Sequence, residues 1–290
     1  MSGRFSHVLN VISENAPFLA QQVRALGQLD WLAEGQAFDI PLSVDPDTAL
    51  EEARGIAGNV PADINILPQL NRRKKLLIAD MDSTIIACEC LDELADIAGL
   101  KPRVSAITER AMRGEIEFDS ALRERVQLLK GLSLSALDRA YRERVRLNPG
   151  ARAVVATMKA HGARTILVSG GFTYFTARVA PEAGFDDNLA NVLLDDGHVL
   201  LGTVREPILG REAKLAALEA EVGKLGITSD DALAVGDGAN DLDMIQRAGF
   251  GVAYHAKQIV ADAAGLRIAH GDLRSLLYLQ GYRDTEIVER

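Results

Sequence analysis

Three short polar segments carry most of the reactive groups of this chain, and each follows an apolar run. Asp80-Met81-Asp82-Ser83-Thr84 follows Leu76–Ala79, Ser169-Gly170-Gly171 follows Thr165–Val168, and Gly236-Asp237-Gly238-Ala239-Asn240-Asp241 follows Ala232–Val235. Singly, such segments are ordinary turns, because Asp, Ser, Asn and Gly are the residues turns use. Gathered at one edge, their carboxylates would repel one another, and a divalent cation would relieve the repulsion. Asp80, Asp82 and Asp237 offer hard oxygen ligands, which suit Mg2+. No softer metal site competes. The histidines (His7, His161, His198, His255 and His270) all lie outside these turns, and Cys88 and Cys90 make no zinc site by themselves.

Asp80 and Asp82 are two residues apart, so an extended backbone points both the same way. One can serve as nucleophile and the other as acid and base, as a two-step covalent mechanism requires. Ser169 and the amides after it suit phosphoryl oxygens, because Gly170 and Gly171 permit close backbone approach. Phosphoryl transfer needs mainly positioning and charge neutralisation, so a lysine is expected to complete the site. Spacing alone leaves Lys159, Lys214, Lys224 and Lys257 as candidates. Other phosphate chemistries fit poorly. There is no Gly-x-x-x-x-Gly-Lys-Ser/Thr loop, no arginine six positions after either cysteine, and Asp241 stands where a dinucleotide loop needs its third glycine.

The elements that must position these groups follow from periodicity. Uninterrupted apolar runs at Leu76–Ala79, Thr165–Val168, Ala232–Val235 and Gly249–Ala253 suit strands buried on both faces of a parallel sheet. Helical stretches near Ala151–His161, Phe172–Ala180 and Glu212–Leu225 alternate with them, which predicts a doubly wound α/β domain whose ligands bind beyond the carboxyl ends of the strands. A hairpin is expected at Asn191–Leu194 and Val199–Val204 about an Asp196-Gly197 turn. Helices expected at Leu91–Ala98, Arg103–Arg113, Phe118–Leu129 and Ser135–Val145 exceed what one crossover needs, so residues 87–148 read as an inserted helical cap. The core is then 71–86 with 149–290. Residues 1–70 read as a small ferredoxin-like α+β unit, with strands at His7–Ile12, Ala37–Val44 and Asp63–Leu67 and helices at Ala16–Leu26 and Asp47–Ile56.

Of the 290 residues, 48% are hydrophobic and 25% charged, enough for a globular core. The net charge of −9 argues against a nucleic-acid binder, which needs a broad positive field. A few basic groups inside a cleft still admit a small anionic substrate. No apolar run is long enough to cross a bilayer, Met1–Phe18 has no secretory pattern, and two closely spaced cysteines suit reduced thiols; a cytoplasmic protein without membrane partner is expected.

Asp-x-Asp-Ser-Thr, Ser-Gly-Gly and Gly-Asp-Gly-x-Asn-Asp, each after an apolar strand, resemble the signatures of the haloacid-dehalogenase superfamily. Asp80–Gly99, Met112–Leu129 and Val168–Phe172 resemble, more narrowly, its phosphoserine phosphatase family. The resemblance spans Leu76 to Ala253. It implies Mg2+-dependent hydrolysis of phosphoserine, the last step of serine synthesis, through a phosphoryl group carried on Asp80. Asp82 would act as acid and base. Asp80, Asp237 and the Asp82 carbonyl would hold the metal, with Asp241 in support. Ser169, Gly170, Lys214 and Asn240 would face the phosphoryl group. The same motifs serve other small phosphomonoesters, phosphothreonine included, and transfer to a second alcohol such as homoserine.

Arg125 stands out independently. On a helix from Phe118 it falls in the middle of an apolar stripe of Phe118, Leu122 and Leu129, where a charge is costly unless paired. Spacing leaves open an internal ion pair, with Glu117 or another cap acid, or a ligand role. The resemblance assigns Arg125 to the substrate carboxylate and Glu89 to its ammonium, with Phe118 and Met112 shielding the site. The N-terminal unit weakly resembles amino-acid-binding regulatory (ACT-like) domains, which implies serine binding or a homodimer through that unit, against a purely structural role.

Overall fold

A computed structural model of the chain describes residues 6–112 and 115–289; of Met112 only the backbone is described. The N-terminal unit comprises β1 (His7–Ile12), α1 (Ala16–Gln22), β2 (Asp30–Ala33), β3 (Ala37–Pro41), α2 (Pro46–Ala57) and β4 (Asp63–Pro68). Its antiparallel sheet has the order β2-β3-β1-β4. The expected helix to Leu26 is α at first and tightens to a 3-10 turn over Val23–Leu26. The expected strand to Val44 ends at Pro41, since proline offers no N–H to a ladder. β2 was not expected: four residues are too few to show an alternation.

The core begins with β5 (Leu76–Ala79). Four cap helices follow: α3 (Cys90–Ile97), α4 (Lys101–Met112), α5 (Phe118–Leu128) and α6 (Leu134–Arg144). The chain then returns through α7 (Ala151–Ala160), β6 (Arg164–Phe172), α8 (Thr173–Ala183) and β7 (Asp187–Asn191), followed by the hairpin β8 (Leu193–Asp195) and β9 (Leu200–Val204). It finishes with α9 (Arg211–Leu225), β10 (Ala232–Gly236), α10 (Leu242–Arg247), β11 (Phe250–Tyr254), α11 (Gln258–Ala263), β12 (Leu266–Ile268) and α12 (Ser275–Leu279). The core sheet is parallel, in the order β12-β11-β10-β5-β6-β7. Its apolar strands are explained by two covered faces. Leu76 and Ile78 pack with Ile166, Val168, Leu218 and Met244, whereas Leu77 and Ala79 pack with Leu167, Val154 and Val235.

The hairpin is narrower than expected, because Asn191 belongs to the sheet edge β7. Its loop is closed by side chains: Asp196 Oδ1 accepts from the His198 and Val199 amides, and Gly197 takes φ +90°. β9 grips the cap. The Gly131 amide donates to Leu200 O at 2.8 Å, Leu200 to Leu132 O at 2.9 Å, and Leu134 to His198 O at 3.0 Å. Arg123 adds an ion pair to Glu206 at 2.8 Å.

The N-terminal sheet is covered on both faces. Leu9 and Val11 pack on α1 and α2, while Val8 and Ile12 join the core cluster that includes Leu276 and Leu277. Polar groups join the two units. Asp63, 3% exposed, accepts from the Ala269 amide at 2.7 Å, the Gly271 amide at 2.7 Å and the His270 amide at 3.2 Å. Asn65 trades two hydrogen bonds with the Arg267 backbone, which covers the β4 edge. On the opposite edge Arg283 donates to the Trp31 carbonyl and pairs with Asp30. A partner strand pairing at these two edges would have to displace those contacts.

Asp63→Ala leaves this set of amides without its acceptor. A loss of about 2 kcal/mol in urea unfolding is expected, with the slope unchanged; a change within ~0.5 kcal/mol, the size of an ordinary surface substitution, would mean that Asp63 does not hold the seam.

Candidate active site

The carboxyl ends of β5, β6 and β10 meet at one point, because these strands are neighbours and parallel. β5 delivers Asp80, and the chain then makes one wide turn over Met81–Ile85, in which Ser83 adopts a left-handed φ of 55°. β10 delivers Asp237, and the short turn after it returns Asp241. Oxygens of Asp80, Asp237 and Asp241 lie within 4.8 Å of one another. Lys214, in the first turns of α9, enters this group fully buried. Its Nζ is 2.5 Å from Asp80 Oδ1 and 2.6 Å from Asp241 Oδ1. Among the lysines left open by spacing, Lys214 is the one that the fold brings to Asp80.

The charges do not balance, since three carboxylates surround one ammonium. Burial alone would lower the Lys214 ammonium, but Asp241 and Asp80 more than reverse this and hold it above its ordinary value. Burial, then the charge of Asp241, pushes the Asp80 carboxyl well up despite Lys214. The same two causes push Asp237 up to about 6, against Lys214, Lys257 and a 3.3 Å hydrogen bond from Thr84 Oγ1. All three groups are shifted upward; burial is the larger cause for the two carboxyls, and the crowded negative charge adds to every shift. A divalent cation among the three carboxylates would relieve that crowding. The donor set is oxygen only, which fits a hard cation.

Asp82 faces elsewhere. Its Oδ1 accepts from the Cys90 amide at 2.8 Å and its Oδ2 from Ser169 Oγ at 3.0 Å. Burial raises this carboxyl even though both hydrogen bonds favour its charged form. Ser169 Oγ also accepts from the Gly171 amide at 2.8 Å. A Cβ on Gly171 would lie 2.8 Å from Asp82 Oδ2 and 3.0 Å from Ser169 Oγ, so any larger residue would displace this hydrogen-bonded pair. At Gly170 the neighbours are Phe118, whose ring would lie 3.1 Å from an added Cβ, and Asn240 Nδ2 at 3.6 Å. Phe118 also abuts Gly210, ahead of α9.

Above this point the cap contributes Arg125 and Glu89. Arg125 Nε donates to the Ala121 carbonyl at 3.2 Å, and the side chain forms no ion pair among the described residues. Burial pulls its guanidinium down, while Asp92 and Glu89 pull it back. The pair with Glu117, one of the alternatives that spacing left open, does not form. Glu89 occupies the position ahead of α3 without a side-chain capping bond, and accepts from Ser83 Oγ at 2.7 Å. Crowding by protein atoms, then the charge of Asp82, pushes the Glu89 carboxyl up to about 7. Glu89 remains open to solvent, which screens part of that push. Met112 ends α4, and its side chain lies outside the described residues.

Several contacts at this site carry no signal in the sequence pattern. Thr84, visible only as the end of the Asp80–Thr84 segment, reaches Asp237, the Cys90 amide reaches Asp82, and the charge of Asp92 acts on Arg125. Asn191 donates to Gly170 O at 2.9 Å and to Leu209 O at 3.1 Å, and accepts from the Leu209 amide at 2.7 Å. It thereby ties the Ser169–Gly171 turn to the loop ahead of Lys214. Turn residues were visible as types; their partners were not. Clefts of about 480 Å3 around Asp63 and Arg267 and about 360 Å3 around Arg146 and Arg274 lie away from this point. Convergence of charge, rather than open volume, marks the site.

A family model described as haloacid dehalogenase-like hydrolase matches residues 77–246. The chain belongs to this family of hydrolases. The match runs from β5 to α10 and so takes in all three polar turns. A Polaromonas sp. protein named phosphoserine phosphatase is 50% identical over 210 residues, covering 71% of this chain and 89% of that one. A Schizosaccharomyces pombe protein named probable phosphoserine phosphatase is 36% identical over 284 residues, covering 93% of each. A solved structure titled as a phospho-aspartyl intermediate analogue of phosphoserine phosphatase superposes with a TM-score of 0.66 at 38% identity, over 71% of this chain and 98% of that one. The fold of the family, a doubly wound parallel sheet with an inserted helical cap, is the fold described above.

The raised Asp237 value carries a sign. Because the fold binds this proton more tightly than the unfolded chain, the metal-free protein loses stability as the pH rises from about 4 to about 6. A divalent cation competes with that proton. Saturating Mg2+ should therefore raise the Tm by several degrees at about pH 7 and by clearly less at about pH 5. An equal rise at both would mean that the ion binds elsewhere.

Proposed function

We propose that this chain is a Mg2+-dependent phosphoserine phosphatase, hydrolysing O-phospho-L-serine to L-serine and phosphate. The observation that carries the reading is the cluster of Asp80, Asp237 and Asp241 around the buried Lys214. The phosphoserine phosphatases it resembles support the substrate. When bound, Mg2+ would neutralise charge on the transferring phosphoryl group and on the carboxylates. Asp80, Asp237 and the Asp82 carbonyl are the proposed ligands, with Asp241 supporting them.

In the first step a carboxylate oxygen of Asp80 bonds to phosphorus and the bond from phosphorus to the serine oxygen breaks. Asp82, whose carboxyl burial keeps prone to hold its proton, gives that proton to the departing serine oxygen. In the second step Asp82 takes a proton from water, the water oxygen bonds to phosphorus, and the Asp80–phosphorus bond breaks to release phosphate. Lys214, Ser169, the Gly170 and Gly171 backbone and Asn240 are the proposed phosphoryl contacts.

Recognition of the rest of the substrate falls to the cap. Arg125 faces Glu89 and Asp92 without forming an ion pair among the described residues, so charges of both signs are available there. A zwitterionic α-amino acid is complementary to that arrangement, with its carboxylate on Arg125 and its ammonium on Glu89. Phe118, lying against Gly170 and Gly210, would shield the reacting atoms from water. On this reading the reaction is the last step of L-serine synthesis, and the free thiols Cys88 and Cys90 suit a reducing cytosol.

Asp80→Asn should lower turnover of phosphoserine by at least ~10³-fold; rates near wild type in saturating Mg2+ would remove the proposed nucleophile. Arg125→Ala should lower kcat/KM for phosphoserine by about 100-fold, the loss of a charged bidentate contact, and barely alter p-nitrophenyl phosphate hydrolysis. Equal losses on both would reject the carboxylate role, and a panel with phosphothreonine and sugar phosphates tests the substrate itself.

A further inference from the structure

The wide turn behind Asp80 has a problem common to every short helical segment. Its last carbonyls lack partners within the turn. The turn is closed by the Ile86 amide, which donates to Met81 O at 2.9 Å, and Ser83 is in a left-handed conformation that a serine does not favour. The carbonyls of Thr84, Ile85 and Ile86 follow in succession. One residue, Asn148, takes all three. Its backbone amide donates to Ile85 O at 2.8 Å, and its Nδ2 donates to Thr84 O at 2.8 Å and Ile86 O at 3.2 Å.

The position of Asn148 in the chain gives this contact its meaning. Residues on either side of the cap run antiparallel here: Ile86 bridges to Leu147, and the Ala87 amide donates to Arg146 O at 3.0 Å. Asn148 is therefore where the chain re-enters the core from the cap. Just beyond it, Gly150 sits at φ +83°, where an added Cβ would lie 2.5 Å from the Arg274 amide nitrogen, so this entry is held against the core as well. The turn that Asn148 supports carries two side chains of the site. Thr84, fully buried, donates to Asp237, and Ser83 donates to Glu89.

We propose that Asn148 is a positioning residue: it holds the turn behind Asp80 from the cap's return strand, and so fixes Thr84 against Asp237 and Ser83 against Glu89. It touches neither substrate nor metal and acts through these two hydroxyls. An amide is the group this task requires, since two donors on one nitrogen reach two carbonyls, whereas the isosteric aspartate would set oxygens against oxygens. The inference rests on the reading of Asp237 as a metal ligand, and supporting groups of this kind are worth about 10- to 100-fold in metal affinity.

The test is Mg2+ titration calorimetry on the full chain, with thermal unfolding of the metal-free protein alongside. Asn148→Ala and Asn148→Asp should weaken Mg2+ binding by about 10-fold or more. A merely structural residue would lower the Tm and leave Mg2+ affinity unchanged, and that result would overturn the proposal. Thr84→Val supplies a second measurement. If Asn148 acts through Thr84, the losses of Mg2+ affinity in Thr84→Val and Asn148→Ala fall well short of additive in the double variant; additive losses overturn the proposal even if Asn148→Asp fails to fold. Wild-type protein that binds no Mg2+ would instead sink the metal reading, a result distinct from either.

Discussion

A fully buried ammonium among three carboxylates is the constraint on which the rest of the structure depends. Lys214 is fully buried, so it must be paired, and Asp80, at the end of β5, and Asp241, in the turn after β10, pair it. That requirement fixes the relative placement of β5, β10 and the start of α9. It also leaves the pocket with more negative than positive charge. An excess of this kind would only destabilise a purely structural ion-pair network. In a hydrolase of this family it is a ready site for a hard cation and for the charge that moves during phosphoryl transfer.

The polar groups divide by layer. Those at the carboxyl edge of the sheet suit a phosphoryl group, and those of the cap suit whatever the phosphoryl group is attached to. The two layers meet at few places. Phe118 lies on glycines that have no side chain to obstruct it, Arg125 feels the charges of Glu89 and Asp92 at the start of α3, and the chain passes between layers beside Asn148. The β8–β9 hairpin adds a main-chain seam to the α5–α6 loop. The cap is thus held by main-chain hydrogen bonds on one side and by its two crossing linkers on the other.

The N-terminal unit obeys a different logic. A two-layer α+β sandwich ordinarily leaves one sheet face to solvent, but here Val8 and Ile12 place that face on the core. Asp63, Asn65 and Arg72 then satisfy backbone groups across the seam that would otherwise be buried without partners, and Asp39 pairs with the Arg72 guanidinium. Its fold is a small α+β sandwich, while its packing is that of an integral layer.

Much of this was legible in the sequence. Continuous apolar runs ending in Asp, Ser-Gly-Gly and Gly-Asp-Gly report parallel strands with both faces covered, and in such sheets the functional groups must lie past the carboxyl ends. The cap helices and Arg125's misfit on an apolar stripe follow from a period of 3.6 residues. Short edge elements such as β2, β7 and β12 were not legible, because three to five residues carry too little periodicity. Pairings between distant residues were not legible either. Which lysine meets Asp80, which acid stays clear of Arg125, and which amide holds the turn behind the nucleophile depend on side chains from separate elements reaching one point. A linear pattern records residue types and local period. The distances at which buried charges must find one another exist only once the sheet has formed.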